Sequence, residues 1–125
     1  MTTKNFLSEQ LIGECRAKLL RLKMDLLNRA RTAQANFIQL EKTGDEIDQT
    51  VAQQEEHSFL VTQERLRSQI LEVEMALARI ENGTFGVCEE TEEFIEADRL
   101  LAIPWTRLSI EGAEIREALN RRYAR

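Results

Sequence analysis

The chain has 125 residues, enough for one modest domain or for a small domain with a long projection. It carries 17 Lys and Arg against 22 Asp and Glu, a net charge of -5, which argues against a protein that mainly coats nucleic acid. Two cysteines are too few for a disulfide framework, and the absence of a long apolar run or signal peptide predicts a cytoplasmic protein without a membrane partner.

The first predicted helix runs from about Ser8 to Lys42, and Ser8 is a suitable N-cap. Its apolar residues recur at steps of three or four, which is the spacing of one helix face. They are Ile12, Cys15, Leu19, Leu22, Leu26, Ala30, Ala33, Phe37 and Leu40. Because Cys15 lies on this stripe, burial is a better interpretation of it than a chemical role.

A second long helix is predicted after a short loop. Gly44 suits the left-handed residue that ends a helix, and Asp45 suits the N-cap of the next one, which runs to about Glu81. Its clearest apolar positions are Phe59, Leu66, Ile70, Val73, Leu77 and Ile80. Two such helices predict an antiparallel hairpin, each arm about 50 Å long, anchored at its base and projecting its loop.

The long helical pattern of apolar residues ends at Asn82-Gly83, which is a turn signal. Residues 85–108 are predicted to be compact and irregular, with Pro104 breaking any helix there, and a C-terminal helix runs from Ser109 to about Tyr123. We therefore predict a mainly α protein. Residues 1–81 hold an N-terminal segment and a coiled-coil hairpin with its tip near 43–48, and residues 82–125 hold a small globular region with a C-terminal helix.

Asp45 and Asp48 have two interpretations that stand together. They cap and charge the first turn of a helix, and they also place two carboxylates at the tip of a projection, where they can reach a distant, charged target. The single histidine, His57, lies among acidic residues and predicts a solvated helix face. No Ser/His/Asp set and no phosphate-binding glycine loop is present, so we predict that the protein is not an enzyme.

The stretch Gly83-Thr84-Phe85-Gly86-Val87-Cys88 has the form of the approach to a zinc knuckle. A knuckle needs a second cysteine three residues on, but that position is Thr91. Structural zinc takes four Cys or His ligands in close spacing, and residues 58–125 contain no other Cys or His besides Cys88. We therefore predict no metal and no other cofactor.

A predicted hairpin followed by IENGTFGVCEETEEFIEADRLLAIPWTRLSIEGAEIREAL resembles the DksA/TraR (DnaK suppressor) family of bacterial RNA polymerase-binding transcription factors. The resemblance covers about residues 8–122. The matching elements are Phe85-Gly86-Val87-Cys88, Arg99-Leu100, Pro104 and the AEIREAL of 113–119. The family's four zinc-ligand positions fall on Cys88, Thr91, Ser109 and Gly112, which implies a zinc-less member with a degenerate C4 zinc finger.

The resemblance implies a transcription regulator that inserts its coiled-coil tip into the secondary channel of RNA polymerase and modulates promoter complexes, with a role in stress response. The acidic tip positions of the family fall on Asp45 and Asp48. A basic position that supports polymerase binding falls on Arg65, with Arg67 nearby. An ordinary solvated helix face is the alternative for both arginines, and no direct DNA binding is expected.

Family members that respond to guanosine tetraphosphate (ppGpp) carry basic residues at positions that fall on Glu72, Ile103 and Ala113. None of the three keeps a positive charge, so a multiply charged phosphate ligand would miss its partners. The resemblance therefore implies a weak or absent ppGpp response.

Two alternatives remain open at this point. One is a secondary-channel competitor of other factors without promoter regulation, and the other is a structural coiled-coil adaptor, which should expose more apolar surface on the outer hairpin face. In place of zinc, we expect a hydrophobic mini-core formed by Phe94, Leu101, Ile103 and Trp105.

Overall fold

The structure, a computed structural model, describes residues 7–42 and 49–124. In chain order its helices are α1 (Glu9–Lys42), α2 (Gln49–Asn82), α3 (Ala97–Ala102) and α4 (Ile110–Tyr123). The described residues form no strand, only an isolated antiparallel bridge between Val87 and Phe94. The mainly α prediction with its long helical hairpin is confirmed. Within the described ranges, no helix combines the length and the apolar character that a membrane crossing requires.

The predicted ends of the long helices agree with the structure where it describes them. The backbone N–H of Leu11 donates to Ser8 Oγ at 3.0 Å, so Ser8 caps α1 as the sequence predicts. Gly44 and Asp45, the predicted loop and cap residues, lie outside the described residues.

Packing divides the chain into two compact units. The first, which we call the knuckle unit, comprises described residues 7–20 and 73–124, and the second, the hairpin unit, comprises Arg21–Glu72. Each long helix thus contributes to both units. The predicted domain boundary between residues 81 and 82 rests on the end of the helical sequence pattern there, and it stays a prediction.

The hairpin unit is held together by contacts between its two antiparallel helical segments. Leu26 of α1 and Leu66 of α2 are buried. The rings of Phe37 and Phe59 stack with centroids 4.3 Å apart and planes 7° from parallel. The side-chain amide of Gln63 donates to the carbonyl of Ala30 at 3.2 Å. Residues near 30 in α1 therefore lie beside residues near 63 in α2.

The core of the knuckle unit draws on both long helices and on the irregular segment. Its buried apolar residues are Leu7, Cys15, Leu19, Val73, Ala76, Phe85, Cys88, Ile95 and Leu100. The predicted mini-core is therefore wrong in its members, because Phe94, Leu101, Ile103 and Trp105 are all only half-buried. The reason is that the irregular segment packs against α1, where the Cys15 thiol donates to the carbonyl of Leu100 at 3.6 Å, and this packing turns Leu100 rather than Leu101 inward.

Short α3 was not predicted, since Pro104 and the mixed composition indicated irregular structure. The helix ends at Ala102, two residues before that proline. Carbonyls in its last turn and in the segment after it accept hydrogen bonds from cationic side chains of three helices. Lys18 Nζ donates to Leu101 O at 2.8 Å, Arg79 Nη2 to Trp105 O at 3.2 Å, and Arg99 Nε to Leu108 O at 2.8 Å. These bonds satisfy backbone acceptors that no regular element serves.

Candidate functional site

The knuckle loop keeps a closed backbone frame. The N–H of Cys88 donates to Glu93 O at 2.8 Å, the N–H of Glu92 to Cys88 O at 2.9 Å, and the N–H of Ile95 to Gly86 O at 2.8 Å. Gly86 has a φ of 88°, and a Cβ there would collide with the Leu7 side chain, so this turn requires glycine. The loop therefore holds its shape through its own hydrogen bonds.

The four degenerate zinc positions lie together at the start of α4. Cys88 is 1% exposed, and its sulfur accepts a hydrogen bond from Ser109 Oγ at 3.5 Å. Ser109 is also the N-cap of α4, since its hydroxyl oxygen accepts from the Gly112 N–H at 3.0 Å. Gly112 packs so closely that a Cβ there would collide with Cys88 Sγ. Thr91 completes the group by hydrogen bonding to Cys88.

The two cysteines have opposite electrostatic environments. Burial alone would raise the pKa of the Cys88 thiol, but hydrogen bonds from Ser109 and then Thr91 outweigh it and lower the pKa to about 6. Cys88 is thus a thiolate at neutral pH, held at the N-terminus of a helix where negative charge is favoured. Burial raises the pKa of Cys15, which stays a neutral thiol in the core.

An ion-pair network joins the knuckle loop to α4. Arg116 donates to Glu90 Oε2 from Nη2 at 2.7 Å and from Nε at 3.0 Å, and its Nη1 lies 3.6 Å from Glu89 Oε1. The hydrogen bond to Glu90 raises the pKa of Arg116. Sequence reasoning missed this pair. The available signal was the position of Arg116, four residues after Gly112 and therefore on the same face of α4 as that knuckle position.

Of the four site residues predicted on the hairpin, the structure describes two. Arg65 and Arg67 are both exposed on α2. Arg65 lines a groove of the hairpin unit with Arg29, Thr62, Leu66 and Gln69, whereas Arg67 does not belong to that lining. Sequence reasoning did not single out Arg29, because it lies 36 residues before Arg65 in the chain. The predicted tip residues Asp45 and Asp48 lie outside the described residues.

The family model for the prokaryotic dksA/traR C4-type zinc finger matches residues 83–118. A finger of this type binds zinc through four thiolates, but the four positions here supply one. Of the other three, Ser109 uses its hydroxyl in the α4 cap, and Gly112 has no side chain and packs against the Cys88 sulfur. The described residues also hold no group of three or more His, Cys, Asp or Glu suited to a metal ion. This donor set does not fit structural zinc.

Similar proteins extend the match over most of the chain. The chain is 31% identical over 117 residues to the RNA polymerase-binding transcription factor DksA of Caulobacter vibrioides, covering 93% of this chain and 82% of that protein. It is 29% identical over 113 residues to general stress protein 16O of Bacillus subtilis, covering 82% of this chain and 67% of that protein. The solved structure of transcription factor DksA2 from Pseudomonas aeruginosa superposes with a TM-score of 0.84 at 31% identity, covering 91% of this chain and 88% of that one. On the shared knuckle, the shared hairpin fold and these identities, the chain belongs to the DksA/TraR family.

Proposed function

We propose that this protein is a transcription regulator that binds bacterial RNA polymerase and modulates promoter complexes through its hairpin. The hairpin loop enters the secondary channel, and Asp45 and Asp48 act there as carboxylates near the catalytic centre. In this proposal the protein needs no zinc, binds no DNA directly, and responds weakly or not at all to ppGpp.

The observation that carries the proposal is the match to DksA proteins over most of the chain. The Caulobacter relative is named as RNA polymerase-binding, and the match spans hairpin and knuckle rather than the knuckle alone. The hairpin has two helices of 34 residues each, α1 and α2, which provide the length that reaching into a deep channel requires. No catalytic constellation competes with this reading in the sequence.

Zinc independence is supported by the donor set of the knuckle. In place of three further thiolates, the Cys88 sulfur has hydrogen bonds from Ser109 and Thr91, which stabilise its negative charge without a metal. We expect purified protein to contain no stoichiometric zinc, and its melting temperature to stay unchanged in a chelator. Stoichiometric zinc, or a melt induced by the chelator, would refute this part of the proposal.

The weak ppGpp response is supported by three positions. Glu72 carries a negative charge in α2, Ile103 is the apolar C-cap of α3, and Ala113 is a small residue in the first turns of α4. None supplies a cation for a phosphate. Transcription inhibition that ppGpp enhances, and that changes with substitutions at Glu72 or Ile103, would contradict this part.

Competition with a known secondary-channel factor for core RNA polymerase tests the main proposal. The wild type should displace the factor and alter promoter-complex lifetimes. The double variant Asp45→Asn/Asp48→Asn should still displace it but lose the transcriptional effect. Asp98→Asn, an exposed carboxylate in α3, is the matched control and should behave as wild type. A wild type that does not bind polymerase would overturn the proposal, and an unaltered double variant would overturn the tip assignment.

A second candidate, the coiled-coil adaptor, is favoured by one observation. Ile38, Leu60 and Val61 are 42%, 56% and 49% exposed, so the hairpin unit does carry apolar side chains on its surface. An adaptor would keep binding its protein partner through this face in the absence of polymerase, and Leu60→Gln/Val61→Gln would abolish that binding while leaving polymerase competition intact. The third reading, a channel competitor without promoter regulation, predicts displacement without any change in promoter-complex lifetime.

A further inference from the structure

Helix α4 packs on the knuckle loop with one side and leaves a neighbouring side exposed. On the packed side, Gly112 lies against the sulfur of Cys88, and Arg116 pairs with Glu90. Beside this contact runs a stripe of exposed residues spaced three or four apart, which is the spacing of one helix face. The stripe, which we call the α4 face, consists of Glu111, Ile115, Ala118, Leu119 and Arg122.

The α4 face has an apolar centre and oppositely charged ends. Ile115 and Leu119 are 38% and 37% exposed, and the small Ala118 lies beside them. Glu111 stands in the first turn of the helix and Arg122 in the last turn. An exposed apolar patch with charges at its rim is typical of a surface that another protein covers.

The spacing of these residues makes the α4 face complementary to a second copy of itself. Glu111 and Arg122 are equally far from the midpoint between residues 116 and 117, and so are Ile115 and Ala118. Two antiparallel copies aligned at that midpoint therefore place Glu111 of each copy opposite Arg122 of the other. They also place Ile115 opposite Ala118, whose small side chain leaves room for it at a close helix contact. Two-fold symmetry forms each of these pairs twice.

We propose that this protein self-associates through the α4 face, as an antiparallel pair of α4 helices. A parallel pair would put Glu111 beside Glu111 and Arg122 beside Arg122, an arrangement that like-charge repulsion disfavours. Each copy contributes a single helix of 14 residues, so the contact belongs to the small, transient interfaces, and we expect a Kd on the order of 100 µM. The inference does not depend on the proposed function, since it uses the knuckle unit and not the hairpin loop.

Sedimentation equilibrium of the full chain, from about 10 µM to about 1 mM, tests the proposal. The wild type should show a monomer–dimer equilibrium. Ile115→Gln removes apolar surface from the centre, and Glu111→Arg replaces an attractive pair by a repulsive one at both ends, so each should raise Kd at least about tenfold. Glu117→Arg is the matched control, because it makes the same charge reversal on the opposite side of α4 and should leave Kd unchanged.

A charge exchange separates pairing from any effect on the helix itself. Arg122→Glu alone should weaken association as Glu111→Arg does, whereas the double variant Glu111→Arg/Arg122→Glu should return Kd to within about threefold of the wild type. The double variant carries both charges at the unfavourable ends of the helix dipole, so its recovery cannot come from a more stable α4. Equal melting temperatures of Ile115→Gln and the wild type establish that the first variant is folded.

The remaining outcomes decide against the proposal. A wild type that stays monomeric at about 1 mM overturns it. A dimer that Ile115→Gln and both single charge reversals leave intact overturns the assignment to the α4 face. If the wild type stays monomeric and Ile115→Gln weakens binding to core RNA polymerase, the polymerase covers this face instead, and the proposed function stands while self-association is refuted.

Discussion

A methyl group added at position 112 should reverse the usual effect of replacing glycine in a helix. Gly112 lies in the first turn of α4, and a Cβ on it would collide with Cys88 Sγ. That sulfur cannot move aside easily, because Cys88 is buried and its sulfur is bonded by Ser109. The start of α4 would have to shift away from the knuckle loop instead.

The magnitude follows from two opposing effects. Replacing glycine by alanine in a helix normally stabilises by about 0.8–1 kcal/mol. Inserting a methyl group into a close-packed site costs about 1–3 kcal/mol. We therefore expect Gly112→Ala to lower the free energy of unfolding by up to about 2 kcal/mol and the melting temperature by up to about 10 °C. Gly13→Ala is the matched control, since nothing lies within 4 Å of a Cβ at Gly13, and it should stabilise.

Urea unfolding followed by circular dichroism and by Trp105 fluorescence measures these differences, and agreement of the two probes checks for two-state behaviour. The Cys88→Ala background removes the sulfur, so Gly112→Ala should become neutral or stabilising there. The coupling energy between the two sites should be about 2 kcal/mol. The reasoning is refuted if Gly112→Ala stabilises as much as Gly13→Ala, or if its cost persists without the sulfur.

Three more predictions concern the same contact between the knuckle loop and α4. Because folding lowers the pKa of Cys88 to about 6, the thiolate stabilises the fold above the unfolded pKa of about 8.5, and this stabilisation is lost as the pH falls through 6. Unfolding at pH 9 to 5.5 should show wild type losing up to about 3 kcal/mol relative to Cys88→Ser, and parallel pH profiles would contradict this. Ser109→Ala removes the α4 cap and a donor to the sulfur, and should cost about 1–2 kcal/mol in urea unfolding; a neutral effect would show that the cap is dispensable. Arg116→Ala breaks a partly exposed pair, so it should lower the midpoint of urea unfolding only slightly, and less in high salt; a large, salt-independent drop in that midpoint would argue for a larger role.

The contacts of the knuckle loop with α4 and the segment before it show how a zinc-finger fold can keep its structure without four thiolates. In the knuckle unit, backbone bonds close the loop, the Glu89 N–H donates to Arg107 O at 2.9 Å, and Arg116 ties Glu90 to α4. The former ligand positions contribute a buried thiolate and its hydrogen-bond donors rather than a metal cage.

The sequence by itself determined the three longer helices, α1, α2 and α4, and the turn at Gly86. Three-and-four spacing of apolar residues marks the faces of α1 and α2, Ser8 caps α1 and Ser109 caps α4 through bonds to nearby N–H groups, and Gly86 marks a turn that only glycine suits. All of these depend on interactions within a few residues, so they can be read from the chain.

Only the tertiary structure decided which apolar residues are buried and which charges meet. Leu100 is buried while neighbouring Leu101 is not, because contact with Cys15, 85 residues away, selects between them. Arg116 finds Glu90 across 26 residues, and Gly112 presses on the Cys88 sulfur. No local pattern encodes these distances, since they depend on how separate elements pack against one another.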